Sequence, residues 1–118
     1  MRGKKTILNG IELARLEILR LERERLDLEK LKDEIPEDTY SREMESILLA
    51  IRAHTAERSR LISIIDSIPD DVQRELMRFR YVSRFSWEEI AEIMDYSETR
   101  IFQFRSMAVN WINERYPS

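Results

Sequence analysis

From residue 6 to about 35, apolar positions recur at alternating steps of three and four. They are Ile11, Ala14, Ile18, Leu21, Leu28 and Ile35, with Arg25 and Lys32 in the same register. That rhythm is the heptad seam of a packed helix, here interrupted by cations. Leu13, Leu16, Leu19, Leu26 and Leu31 fall on other faces, so this helix wants neighbours on two sides. Ile35-Pro36-Glu37-Asp38 ends it. Proline disfavours helical geometry at the residue before it and tolerates the first turn of the next helix, where early acids are also favourable. The second stretch, about 38–67, repeats the rhythm without a slip through Met44, Ile47, Ile51, His54, Arg58, Leu61, Ile65 and Ile68. Together the two predict an antiparallel, coiled-coil-like helical hairpin over 6–67, each helix about 45 Å long at ~1.5 Å per residue.

A different pattern runs from Ser86 to Ile112. Ser86 is a good N-cap, and Glu89, three residues on, can complete a capping box. Trp87, Ile90, Ala91 and Met94 then mark one face of a short helix. Asp95-Tyr96-Ser97 breaks that period, and Ser97 can cap a second helix with an inner face of Ile101, Phe104, Ala108 and Ile112 and with Trp111 packing near its end. Two short helices joined by about three residues, the second presenting polar side chains outward, match a helix-turn-helix that fits the DNA major groove. The expected fold class is therefore all-α, with a long antiparallel hairpin at 1–67 and a helix-turn-helix domain at 68–118.

Composition sharpens this. Of 118 residues only two are glycine and three proline while 36% are charged, which suits long helices rather than sheets or disorder. The net charge of −3 is unusual for a duplex binder. From Pro69 onward seven arginines stand against nine acidic residues. Most affinity for duplex comes from cations on phosphate, so binding must rest on local arginine placement, on several copies, or on a partner protein. There is no cysteine and one histidine, His54, so no metal site and no cofactor is expected. No apolar run approaches the ~20 residues of a membrane span. Residues 1–5 carry three positive charges but no apolar core follows them, so a cytoplasmic protein without membrane partners is expected. Catalysis is not indicated: Asp70-Asp71 and Glu88-Glu89 sit where helix first turns favour acids.

The stretch 68–112 resembles region 4 of bacterial sigma factors. Ile68-Pro69-Asp70 and the run from Arg74-Glu75-Leu76 through Phe79-Arg80-Tyr81-Val82 match the first helix of that domain. Trp87 to Met94 (WEEIAEIM) matches the second, and Ser97-Glu98-Thr99-Arg100-Ile101 with Gln103 matches the start of the recognition helix. Combined with two charged helices upstream, the chain is similar to small phage proteins with a sigma-like C-terminus, among them the ArpU and RinA type late-gene regulators. The resemblance implies that Glu98, Thr99, Phe102 and Gln103 face the bases. Glu98 and Phe102 depart from positions where the sigma pattern often carries arginine, and Asp95 from one where glycine is common.

By register, Glu98, Thr99, Phe102, Gln103 and Ser106 point outward on the last helix, with Arg100 and Arg105 at its flanks. Gln103 suits direct readout of adenine, and Arg100 suits the backbone or guanine. Ser86, Ser97 and the amides they precede could hold phosphates. Arg74, Arg78, Arg80 and Arg84 make the preceding helix cationic, either as a phosphate clamp or through ion pairs with Glu88, Glu89 and Glu92. Met44, Ile47, Ile51, His54, Arg58, Leu61 and Ile65 are the expected self-association seam. Within it His54 and Arg58 either fix register or are solvated or paired with Glu43, Glu45 and Glu57. The expected function is a phage or prophage transcriptional regulator, dimeric through its hairpin, that binds duplex DNA. The alternatives are a small terminase-like packaging subunit, or an interaction module for RNA polymerase or another factor.

Overall fold

In the computed structural model, residues 6–117 are described, and they form five helices with no strand. These are α1 (Ile7–Lys30), α2 (Glu37–Asp66), α3 (Asp71–Tyr81), α4 (Trp87–Met94) and α5 (Glu98–Arg115). The charges at 1–5 lie outside the described residues. No helix among the described residues is long and apolar enough to cross a membrane.

The described residues form two compact units, one holding residues 12–59 and the other combining 6–11 with 60–117. The boundary expected at 67–68 therefore falls inside the second of these. The reason is the destination of the last turns of α2. Leu61, Ile64 and Ile65 pack with Ile11, Ile68, Met77, Ala108 and Ile112 in one core. Leu61 is 4% exposed and Ile65 0%, so these two members of the expected self-association seam are core residues of their own chain and are not available to a second copy. A second cluster gathers Leu76, Ile90, Ala91 and Ile101, bordered by Phe79, Phe85 and Phe104. The neighbouring residues Leu76 and Met77 of α3 thus serve different cores, and α3 joins α4 and α5 into one body.

Local chemistry sets the helix ends. Asp70 caps α3 by accepting from the Gln73 N–H at 2.9 Å. Ser86 and Glu89 form the reciprocal capping box of α4, with bonds of 2.9 and 3.1 Å. Asp95 ends α4 in the left-handed conformation (φ 60°, ψ 44°), which a short polar side chain tolerates where glycine is absent. Ser97 then caps α5 by accepting from the Arg100 N–H at 3.1 Å.

In the unit of residues 12–59, Ala14, Leu21 and Leu28 of α1 are buried. Met44, Ile47, Ile51, His54 and Arg58 of α2 are half-buried. His54 Nε2 lies 4.0 Å from a Glu17 carboxylate oxygen, a partner on the other helix rather than one of the α2 glutamates expected from sequence. Arg58 Nε is buried without a hydrogen-bond partner.

Candidate nucleic-acid interface

The 18 residues of α5 divide sharply between two sides. Ile101 is buried with Leu76 of α3 and Ile90 and Ala91 of α4, while Ala108 and Ile112 are buried with Met77 and the last turns of α2, because the 3.6-residue period returns all three to one face. On the opposite side Thr99, Gln103, Ser106 and Asn110 are all exposed, at steps of four, three and four. These four are uncharged and can both donate and accept hydrogen bonds, which suits the mixed donor and acceptor pattern of base edges. Asn110 extends the row one turn beyond the residues expected from sequence. Its signal was the same spacing that links Thr99 to Ser106.

The arginines beside this row are held in place. The Arg100 guanidinium lies 4.5 Å from the centre of the Phe104 ring, and its Nη1 donates to Gln103 Oε1 at 2.9 Å. Phe104 packs in turn edge-to-face with Tyr96, ring centres 5.2 Å apart, so a residue of the turn braces the platform on which Arg100 rests. Ser97, Glu98 and Thr99, the first turn of this surface, are exposed. Phe102 is 45% exposed and tilts against Trp87 with ring centres 5.4 Å apart.

Trp87 has a role that periodicity did not disclose. Its ring carries the Arg80 guanidinium at 4.8 Å and that of Arg105 at 5.7 Å, as well as the contact with Phe102. Arginine over an indole face is a favourable cation–π geometry. Arg80 also donates through Nη1 to the Phe85 carbonyl at 3.0 Å. Among the four arginines expected as a phosphate clamp, Arg74 instead binds the Ile68 carbonyl and Asp71, and Arg78 binds Asp66. Arg74, Arg78 and Arg80 thus contact groups other than the glutamates of α4 expected to pair with them. The fourth, Arg84, is exposed between α3 and α4 in the left-handed conformation at φ 65°, which is uncommon for arginine.

Glu89 has a carboxylate held below its ordinary pKa, first by the Ser86 backbone N–H and then by the Ser86 hydroxyl. No family model, curated protein or solved structure matches the chain.

Proposed function

We propose that this chain is a phage-type or prophage-type transcriptional regulator acting in the cytoplasm. In this reading α4 and α5 act as a sigma region 4-like helix-turn-helix with α5 in the major groove, and α1 and α2 form an antiparallel hairpin that self-associates. The single observation that carries the reading is the exposed row Thr99, Gln103, Ser106 and Asn110, set opposite the buried Ile101, Ala108 and Ile112 and flanked by Arg100 and Arg105. Hydrogen-bonding side chains read base edges, whereas charge mostly sets backbone affinity. A surface rich in the former and poor in the latter favours selectivity over strength. Two such heads on one assembly raise the apparent affinity without further basic residues.

Fluorescence anisotropy with a pool of duplexes, under rising salt and competitor DNA, tests it. Selected duplexes are expected to survive competition, with affinity falling linearly against salt on logarithmic axes. Failure to bind any duplex at low salt would end this reading. One observation favours a second: Phe102, half-exposed against Trp87, is an apolar contact of the kind a protein partner such as RNA polymerase would cover. Co-sedimentation with RNA polymerase in the absence of DNA separates the two.

A further inference from the structure

The buried face of α1 is not its only apolar face. Within the unit of residues 12–59, Glu12, Leu16, Leu19, Arg23, Leu26 and Lys30 follow one another at steps of four, three, four, three and four. That is a second heptad seam, on the side of the helix away from Ala14, Leu21 and Leu28. Its leucines are left in solvent: Leu16 is 47% exposed, Leu19 53% and Leu26 49%. We infer that this seam is a homodimer interface on which α1 of a second copy lies antiparallel.

The occupant follows from the order of residues in the seam. Turned end for end about residue 21, the seam matches itself. Leu16 meets Leu26 of the partner subunit, Leu19 meets the aliphatic stem of Arg23 of the partner subunit, and Glu12 meets Lys30 of the partner subunit. Each contact occurs twice, as a two-fold interface requires. The ends are complementary in charge, acidic at Glu12 and basic at Lys30, whereas a parallel pairing would set Arg23 against Arg23 and Lys30 against Lys30. Glu12 already holds Arg15 through two bonds of 2.9 and 2.6 Å, which fixes its carboxylate at the edge of the seam. Arg23 is similarly steadied by Asp27 at 3.6 Å. Burying three half-exposed leucines with the flanking stems covers roughly 500 Å² on each protomer, the scale of a small, reversible interface. The inference rests on the self-association proposed above, though not on DNA binding, and it moves the contact from the α2 seam to α1.

Sedimentation equilibrium of the full chain is the first test, with the mass expected to rise from 14.3 kDa toward twice that value as concentration increases. Leu16→Glu with Leu26→Glu should hold the mass at that of one chain, with unchanged helix content because both side chains already meet solvent. Cross-linking fixes the direction. The chain has no cysteine, and positions 16 and 26 are about 15 Å apart along one helix, too far for a bridge within it. Leu16→Cys combined with Leu26→Cys should give a covalent dimer under mild oxidant, while Leu16→Cys alone should not. A chain monomeric at all concentrations, a dimer indifferent to the two glutamates, or ready cross-linking of the single cysteine variant would each overturn the proposal. Duplex binding is read separately by anisotropy, so loss of one property with the other intact identifies which reading failed.

Discussion

The Arg80 guanidinium lies over the Trp87 ring, 4.8 Å from its centre, while its Nη1 donates to the Phe85 carbonyl at 3.0 Å. One side chain thereby ties the last turn of α3 to the start of α4. Arg80→Ala should lower stability by about 1–2 kcal/mol, the scale of one charged hydrogen bond plus an exposed cation–π contact. Arg80→Lys should recover little of it, since an ammonium cannot reproduce the planar contact. Urea unfolding followed by Trp87 and Trp111 fluorescence measures both. An unchanged midpoint in Arg80→Ala would show that the bracket contributes nothing.

Gly10 sits so close to Leu61 that a Cβ in its place would stand 2.8 Å from Leu61 Cδ1. Leu61 is a buried core residue with little room to move. Gly10→Val should therefore destabilise by about 1–3 kcal/mol through overpacking. Gly10→Ala should be milder, because the clash is offset by a helix-propensity gain of up to ~1 kcal/mol. In a Leu61→Ala background the valine should cost clearly less, and that coupling identifies the contact as the cause. Additive losses in the double variant would assign the effect elsewhere.

What could be read from sequence divides by the range of the interaction. The Ser86–Glu89 box, the Ser97 cap and the turn at Asp95 involve residues at most five apart, and such contacts follow from residue type and spacing. The inner residues Ile101, Ala108 and Ile112 were equally accessible through their period. By contrast, nothing in a periodic pattern links positions 80, 87 and 105, so the arginines around Trp87 could be seen only once α3, α4 and α5 were assembled. Leu61 and Ile65 show a subtler limit. Their seam continues unbroken from Met44, but its last turns enter the core with Met77 and Ile112, and period alone cannot say which neighbour a stripe meets. On α1, likewise, Leu16, Leu19 and Leu26 stand out from sequence as lying off the main stripe, but their period does not name what meets them.

The Glu89 carboxylate gives the α4 cap a pH signature. Its pKa is depressed in the folded chain, chiefly by the Ser86 N–H, so its contribution is complete above the unfolded carboxylate range and is lost as pH falls through the lower folded value. Stability curves of the parent and Glu89→Gln should differ above about pH 5 and converge at more acidic pH. Ser86→Ala, which removes the other half of the box, should cost about 1 kcal/mol near neutral pH. A constant gap between parent and Glu89→Gln across the acid range would dissociate the cap from that ionisation.

On α5 the 2.9 Å bond from Arg100 Nη1 to Gln103 Oε1 couples the two side chains. With its oxygen accepting from Arg100, the Gln103 amide keeps two N–H donors, which suits an acceptor on a base edge. Gln103→Ala should reduce discrimination between selected and random duplex, by about 1–3 kcal/mol for one base contact, and leave non-specific affinity nearly unchanged. Arg100→Ala should weaken both, because it removes a cation and also releases Gln103 to rotate. Since the arginine positions the glutamine, the double variant should lose less than the two single losses combined. Asn110→Ala, one turn further along the row, should show the selective loss without the coupling. Anisotropy on paired selected and random duplexes measures all four chains. Parental affinity and selectivity in both Gln103→Ala and Arg100→Ala would remove α5 from the recognition surface and leave the Phe102 side as the contact to pursue.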